Sequence, residues 1–290
     1  MNLSPSLPNL FPSKSWTGKL ELNYSHQSDT TKLSKAIAQA PLKIQRAFYP
    51  EGPELCHSVI LHTAGGIVGG DRLVQMIELE AHSQVLLTTA AATKVYRSEG
   101  ERSQQIITLT LGENSYLEWF PQETVIFNEA IYQQDLRVEL GKNAVFCGWE
   151  ITRLGRTARG EQFLAGDWRS RIEIWQAGRP LWIDRQGLQG SLEIINSPNG
   201  LNQKAIVATF IWLGQKVETE ILNEARKLGE LIVKEGEIGL TQTQDEGLLC
   251  RYRGNSTTEV KHYFEAIWGL LRQTYRDRPA VRPRVWYSLN

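Results

Sequence analysis

Short runs in which apolar and polar residues alternate dominate the chain from about residue 16 to residue 213. Side chains on a β-strand point to opposite faces in turn, so this alternation predicts strands with one buried face. Turn residues recur about every ten residues, and Ala177-Gly178-Arg179 predicts a hairpin between two of the runs. The pattern favours a β-sandwich, a barrel or a β-helical coil over alternating β/α units, and no fixed-period repeat accompanies it. The predicted strands include Leu73–Leu79, Gln84–Thr89, Ile106–Leu111, Tyr116–Phe120, Asp135–Leu140, Ala144–Ile151, Arg171–Trp175 and Pro180–Asp184.

Helical periodicity replaces the strand pattern towards the C-terminus. Apolar residues across Gln215–Lys234 are spaced as on one face of a helix. A second helix is predicted to begin at Ser256–Glu259, where the serine hydroxyl and the glutamate carboxylate would each accept the other residue's backbone N–H. A strand pair, Ile238–Thr243 and Gly247–Tyr252, is predicted between the two helices.

These patterns predict a mainly β fold, with a β-rich body that is a sandwich, a barrel or a β-helical coil, followed by two C-terminal α-helices. Residues 1–15 are rich in proline and serine and predict a flexible leader. Residues 16–213 form the predicted β-rich body, and residues 214–290 form a helix-containing region packed on it within one continuous domain. The tail Arg278–Trp286 is rich in arginine and proline, which predicts an extended, exposed segment.

Composition narrows the classes of function. The chain has 32 lysines and arginines against 32 aspartates and glutamates, so it has no net charge to attract nucleic acid or an anionic membrane. The longest apolar run, Ile206–Leu213, is far shorter than the roughly 20 residues that span a bilayer. The N-terminus lacks the basic start and apolar stretch of a secretory signal. Three widely separated cysteines argue against a disulfide framework, so we expect a soluble cytoplasmic protein.

The most distinctive segment is the glycine loop, Gly65–Asp71. Glycines permit positive φ and close backbone approach, but the loop lacks both the dinucleotide-binding order of glycines and the lysine of a phosphate loop. One interpretation is a tight turn capped by Asp71. The alternative is an enzyme in which the loop binds an anionic substrate with Lys94 and Arg97, and Asp71 acts as the base. The glycines concerned are Gly65, Gly66, Gly69 and Gly70.

Candidate metal ligands occur just before the glycine loop. Cys56, His57 and His62 carry thiol and imidazole groups that suit nickel, copper or zinc, which suggests either transient ligands or a stable nickel or zinc site. Adjacent residues of a strand point to opposite faces, so Cys56 and His57 cannot both bind one ion unless the strand is broken. The sequence leaves both interpretations open.

Carboxylates are a second set of candidates. Glu150 lies within an otherwise apolar predicted strand, where an unpaired carboxylate would cost several kcal/mol to bury. It should therefore have a partner or contact water, and Arg153 and Arg156 are the nearest candidate partners in sequence. Scattered carboxylates can hold a cation weakly and release it. The set comprises Glu54, Asp71, Glu150 and Asp184.

Seven strings in the chain resemble, in order and spacing, those of the urease accessory protein family UreD, also called UreH. The strings are RAFYPEGPELCH (46–57), GGIVGGDRL (65–73), TKVYRS (93–98), LEWFPQET (117–124), WEITRLGR (149–156), GEQF (160–163) and PLWIDR (180–185). The chain departs from the family at His62-Thr63-Ala64, where members commonly read His-Pro-Pro, and at Ala90-Ala91, where they commonly read Pro-Gly. These departures affect local turn geometry.

The resemblance implies a mainly β fold, with a β-helical body of stacked strands and two C-terminal α-helices. It also implies a maturation factor and not an enzyme. Members of the family bind the apo-urease structural subunits and, with UreF and UreG, deliver nickel(II) to the urease active site; the GTPase activity belongs to UreG. The resemblance implies nickel in transit, with no permanently bound cofactor, through an internal channel whose acids match Glu54, Asp71, Glu150 and Asp184. Self-association is a further interaction that stays open. Other motif positions are Gly65, Gly66, Gly69, Gly70, Lys94, Arg97, Arg156 and Glu161.

Overall fold

The computed structural model describes residues 15–244 and 247–289, with side chains as far as residue 286. Apart from Ser15, the predicted leader lies outside these residues. Strands make up most of the structure. They are β1 (Thr17–Gln27), β2 (Thr30–Gln39), β3 (Leu42–Ile44), β4 (Leu55–His62), β5 (Arg72–Leu79), β6 (Gln84–Thr89), β7 (Thr93–Val95), β8 (Ser103–Leu111), β9 (Tyr116–Phe120), β10 (Thr124–Ile126), β11 (Ile131–Leu140), β12 (Val145–Leu154), β13 (Asp167–Gln176), β14 (Arg179–Gln189), β15 (Ile206–Leu213), β16 (Glu237–Gln242) and β17 (Leu248–Gly254). The helices are α1 (Leu192–Asn196), α2 (Thr219–Ile232) and α3 (Thr257–Arg276), with 3₁₀ turns at Thr157–Arg159 and Arg284–Leu289.

The strands form two sheets that face each other. The first sheet has the order β14-β13-β11-β8-β5-β1-β2, and the second has the order β16-β17-β15-β12-β9-β6-β4-β3, with β10 and β7 beside β12. From β4 to β13, leaving aside the short strands β7 and β10, successive strands alternate between the sheets. Each pairs in parallel with the equivalent strand of the next coil. This winding confirms the predicted β-helical body of stacked strands.

The hairpin predicted from the glycine signal is present between β13 and β14, which pair antiparallel. Ala177 and Gly178 form its two-residue loop, with φ of 50° and 75°. Positive φ at both central positions is the type I′ turn whose twist matches that of the flanking strands. The hairpin ends the parallel coil and places β14 at the edge of the first sheet.

Two apolar layers hold the fold together, one between the sheets and one between the second sheet and helices α2 and α3. Successive side chains of β12 point alternately into the two apolar layers. Phe146 packs between the sheets, whereas Cys147 and Trp149 pack beneath the helices. A strand buried on both faces explains the nearly continuous apolar sequence of this segment.

The two C-terminal helices are confirmed, but the predicted capping box is only half right. Ser256 Oγ accepts the backbone N–H of Glu259 at 3.1 Å, as expected for an N-cap. The Glu259 carboxylate instead accepts backbone N–H groups of Lys234, Glu235 and Gly236, at 2.8, 3.2 and 3.0 Å. A segment brought close by tertiary packing has displaced the local partner, so Glu259 joins the start of α3 to the chain that follows α2.

The tail Arg278–Trp286 corrects the prediction of an exposed segment. It leaves α3 and folds back over the second sheet, where the Trp286 ring packs against those of Trp149 and Trp268 at centroid distances of 5.4 and 6.0 Å. Trp286 Nε1 also donates a hydrogen bond to Thr88 Oγ1 at 3.0 Å. The arginine and proline content predicted an extended segment, but the 3₁₀ turn forms at its end, and the aromatic contacts of Trp286 hold that end against the sheet.

Candidate functional site

The glycine loop folds as a turn that Asp71 holds closed. Asp71 is only 5% exposed; its Oδ1 accepts the backbone N–H of Trp16 at 2.8 Å, and its Oδ2 accepts that of Val68 at 3.0 Å. Both carboxylate oxygens are therefore engaged with backbone. This geometry is that of a turn cap, which leaves Asp71 poorly placed to act as a base or as a metal ligand.

Close packing explains the glycines of this loop. A Cβ on Gly66 would lie 2.5 Å from Tyr96 Cε2 and 2.6 Å from the Lys94 carbonyl oxygen, and Gly70 has a φ of +85°. A side chain at either position would force the loop away from the segment it packs on. The side chains of Lys94 and Arg97, which the enzyme interpretation assigned to an anion, are exposed to solvent.

The motif residues Arg156 and Glu161 form an ion pair that also contacts a neighbouring loop. Arg156 Nε donates to Glu161 Oε2 at 2.8 Å, and Glu161 Oε1 accepts the backbone N–H of Asn128 at 3.1 Å. Hydrogen bonds from the Arg156 side chain and from two backbone N–H groups outweigh the opposing effect of burial and lower the pKa of Glu161. The pair thus braces two neighbouring loops.

The three candidate metal ligands near the glycine loop are separated in space. Cys56 packs between the sheets, whereas His57 lies on the opposite face of β4 and its Nε2 is 2.6 Å from Glu51 Oε1. The predicted opposite orientation of these two residues is confirmed. Burial raises the pKa of the Cys56 thiol, which keeps it protonated and a poor ligand. His62 lies at the end of β4, where its Nδ1 contacts the Ala64 carbonyl oxygen at 3.1 Å.

The four candidate carboxylates divide into two groups. Glu54 lies at the surface, where it forms an ion pair with Arg278, and Asp71 is the turn cap. Glu150 and Asp184 instead both face the space between the two sheets. The structure thus brings together two of the four acids.

A row of polar side chains crosses the inner face of the first sheet beside Glu150 and Asp184. The row comprises Gln105, Gln134, Ser170 and Gln186, which occupy neighbouring strands in direct register and face inward among mostly apolar side chains. Tyr132 links the start of the row, since its hydroxyl donates to Gln105 Oε1 at 3.0 Å and lies 3.3 Å from Gln134 Oε1. A second row faces it from the second sheet, where Glu150, Thr209 and Arg251 are in register.

Hydrogen bonds across the gap join the two rows. Ser170 Oγ donates to Glu150 Oε2 at 2.8 Å, and Gln186 Nε2 contacts Thr209 Oγ1 at 3.4 Å. Arg251 Nη2 lies 2.8 Å from Asp184 Oδ1. Because these contacts connect both sheets, we treat the residues as one unit, the polar layer. Its members are Gln105, Tyr132, Gln134, Glu150, Ser170, Asp184, Gln186, Thr209 and Arg251.

A cavity lies at each end of the polar layer. The first, of about 360 Å³, lies beside the glycine loop and is lined by His62, Gln75 and Gln105 among others. The second, of about 340 Å³, is more open and is lined by Gln186, Arg251 and neighbouring residues of the second sheet. Polar side chains on neighbouring strands therefore extend from one surface opening to the other.

Glu150 has the most unusual electrostatics of the polar layer. Burial raises its pKa to about 7, against the hydrogen bond from Ser170, and the nearby charge of Asp184 adds to the rise. At neutral pH the carboxyl group is thus balanced between its protonated and ionised forms. A cation that entered the polar layer would favour the ionised form, since opposite charge stabilises the carboxylate.

Sequence reasoning gave Glu150 the wrong partners. Arg153 lies on the opposite face of β12, where it donates to Thr257 on α3, and Arg156 binds Glu161. Strand parity already forbids Arg153, because residues an odd number apart face opposite sides. The same parity was the available signal for the missed residues, since Gln105 and Gln134 interrupt inward-facing apolar positions. Only the pairing of the strands shows that these interruptions form one row.

Clustered metal ligands and membrane-spanning helices are both missing from the part of the chain that the structure describes. Within residues 15–244 and 247–289, no group of three or more His, Cys, Asp and Glu side chains is placed to hold a metal ion. Over the same residues, none of the helices combines the length and the apolar character needed to cross a membrane.

Comparison with known proteins identifies the family. The family model described as UreD urease accessory protein matches residues 17–287. Curated urease accessory proteins UreD from Nostoc sp. and Trichormus variabilis are each 54% identical to the chain, over 95% and 97% of it and over 97% and 99% of their own lengths. The UreD of Microcystis aeruginosa is 51% identical over 94% of the chain and 99% of its own length. The chain therefore belongs to the UreD family of urease accessory proteins, and this role in urease maturation overturns the enzyme alternative.

Proposed function

We propose that this protein binds apo-urease together with UreF and UreG, and that nickel(II) passes through its polar layer on the way to the urease active site. The observation that carries the proposal is the strand register of the polar layer, whose side chains lie on neighbouring strands from one cavity to the other. Family membership supplies the involvement in urease maturation, and nickel is the metal cargo that such maturation requires.

The composition of the polar layer suits transport better than storage. A closed cage of thiolates and imidazoles would bind nickel tightly, whereas neutral amide and hydroxyl oxygens with few carboxylates bind it weakly. Gln105, Gln134, Ser170 and Thr209 offer such oxygens at successive positions. An ion held by one or two of these groups and by water can move to the next without a deep energy minimum.

Charge within the polar layer points to the same conclusion. Asp184 is neutralised by Arg251 at 2.8 Å, so the ion pair adds little net attraction for a dication. Glu150, the other carboxylate of the polar layer, contacts the hydroxyl groups of Ser170 and Thr152 and pairs with no cation among the described residues. Glu150 is therefore the strongest attraction for a cation in the layer, and it can exchange a proton for the metal at neutral pH.

The experiment is activation of urease in a host that has no urease of its own. The urease structural subunits, UreF, UreG and this protein are coexpressed with nickel, and the nickel content and activity of the purified urease are measured. We expect Glu150→Ala and Glu150→Gln to lower both several-fold, because the cation loses its main attraction in the polar layer. Glu113→Gln, at an exposed turn, should behave like the parent chain.

Pull-down of the partners separates the two parts of the proposal. The Glu150 variants should still copurify with UreF, UreG and apo-urease, since Glu150 lies in the interior. Urease of unchanged nickel content from Glu150→Ala would overturn the route through the polar layer. If the parent chain copurified with none of the three partners, the proposed complex with UreF, UreG and apo-urease would be wrong.

A further inference from the structure

Two buried acceptor atoms without hydrogen-bond partners lie at the cavity beside the glycine loop. His62 Nε2 and Gln75 Oε1 are both buried and unpartnered, and both residues line this cavity. Gln75 is 3% exposed and occupies an inward-facing position of β5. Unpartnered buried acceptors cost free energy, so their convergence on one cavity points to a ligand that supplies positive charge or donors.

The tautomer of His62 follows from its other ring nitrogen. Nδ1 lies 3.1 Å from the Ala64 carbonyl oxygen, which can only accept, so Nδ1 carries the proton. Nε2 therefore presents a lone pair. Burial lowers the pKa of His62 and favours the neutral ring, although the hydrogen bond to the Ala64 carbonyl and the charge of Asp71 oppose this effect. A neutral imidazole oriented by a carbonyl is the usual arrangement of a metal-binding histidine.

We propose that His62 Nε2 and Gln75 Oε1 form a station that binds a borderline divalent cation, with water completing its coordination shell. The inference rests on the proposed function, in which the cation is nickel(II), and it gives that route a specific entry point. Imidazole nitrogen and amide oxygen suit nickel, whereas an anion would meet two lone pairs.

The station is connected to the polar layer and binds weakly. Gln105 lines the same cavity and is hydrogen bonded to Tyr132, so the polar layer begins where the station lies. Among the described residues, no group of three or more His, Cys, Asp and Glu side chains is placed to hold a metal ion, and the station itself offers one imidazole nitrogen and one amide oxygen. Such a site can capture an ion and release it to the next oxygen.

Nickel titration of the full-length chain by calorimetry tests the station. All variants carry His82→Asn, because the His26 and His82 rings lie 6.3 Å apart and such a pair would bind nickel at the surface. His62→Asn retains a donor for the Ala64 carbonyl and removes Nε2. Gln75→Leu removes the acceptor in a similar volume. His262→Asn, at an exposed position of α3, is the matched control.

We expect His62→Asn to weaken nickel binding by about tenfold or more, and Gln75→Leu by several-fold, with His262→Asn unchanged. The melting temperature of Gln75→Leu should stay the same or rise, since the variant removes an unpartnered polar group, and this separates loss of a ligand from loss of the fold. Unchanged nickel affinity in either His62→Asn or Gln75→Leu overturns the station. That result would leave the Glu150 experiment, and with it the proposed function, intact.

Discussion

The two faces of the second sheet bury charge in opposite ways. On its inner face lies the polar layer, in which Glu150 has hydroxyl partners and a raised pKa. On its outer face, beneath α3, lies the anchor network, which comprises Glu51, His57, Glu118, Trp268 and Arg272. Both regions carry the cost of removing charges from water. They differ in how completely protein groups offset that cost.

In the anchor network every charge has several matched partners. Glu118 is completely buried and accepts from Tyr116 at 2.5 Å, Trp268 Nε1 at 2.6 Å and Arg272 Nε at 2.7 Å. Arg272 also donates to Glu51 at 2.5 Å. Although burial alone would lower the pKa of Arg272, the charge of Glu118 and the hydrogen bonds to Glu51 and Glu118 together outweigh burial and raise that pKa.

Glu51 shows the same balance from the acidic side. Burial would raise its pKa, but hydrogen bonds from His57 and Arg272 outweigh burial and lower the pKa below its usual value. The contrast with Glu150, where burial prevails, distinguishes the two regions. The anchor network, in which each charge is paired with opposite charges, fixes α3 on the sheet. Glu150 has only hydroxyl partners, so its carboxylate can still bind a cation.

The largest expected effect comes from breaking the anchor network. Arg272→Met would leave Glu118 and Glu51 buried without their cation, so we expect the free energy of unfolding to fall by about 3–5 kcal/mol. Urea denaturation of the full chain measures this. Arg276→Met, one turn along α3, removes an arginine that stacks on Tyr116 and should cost about 1 kcal/mol. Equal losses in the two variants would contradict the anchor role.

Glu150→Gln should raise the free energy of unfolding, whereas Arg272→Met lowers it, and the size of the rise should depend on pH. The pKa of Glu150 is about 7 in the folded chain against an ordinary value of 4.5 when the chain is unfolded, so the folded state binds more protons between these values. The parent therefore loses stability as pH rises from about 4.5 to 7, and the variant does not. Between pH 4.5 and about pH 8 the variant should gain up to about 3 kcal/mol relative to the parent. Denaturation curves across this range provide the measurement, and a constant difference would show that Glu150 titrates normally.

Removing one hydroxyl from the polar layer should give the smallest change. Ser170→Ala deletes the donor to the Glu150 carboxylate, which should raise the pKa of Glu150 further and cost about 1 kcal/mol or less in stability. Carbon-13 NMR titration of the Glu150 carboxyl group reports the pKa. Thr152→Val, which removes a longer contact of 3.4 Å, should shift it less. A larger shift from Thr152→Val would reverse the assigned order of the two partners.

Local periodicity predicted the elements of the fold more successfully than their contacts. Alternation identified most of the longer strands from β5 to β14, and helical spacing identified α2 and α3, because both signals are contained in neighbouring residues. The strands β1, β2, β4 and β15 were not named from the sequence. Three-residue strands and the five-residue α1 are too short to carry such a signal. The Glu259 carboxylate and Trp286 were misassigned because distant segments supply their partners.

The candidate site was predictable only in part for the same reason. Glu150 stood out because a carboxylate in an apolar strand requires an explanation, and strand parity separated Cys56 from His57. The polar layer, in contrast, depends on which strands pair and in which register. Nothing in the sequence distinguishes Gln75 from other glutamines. It becomes a candidate ligand only because the structure shows that its Oε1 is buried without a hydrogen-bond partner among the described residues.

The alternating path of the chain between the two sheets has a consequence for assembly during synthesis. Each coil must close over a long stretch of chain before its neighbour can add to it, and parallel pairing of this kind is intrinsically slow. An unfinished stack presents an open strand edge, which is a template for aggregation. Yield of native protein should therefore respond to translation speed and growth temperature more than to the choice of surface residues.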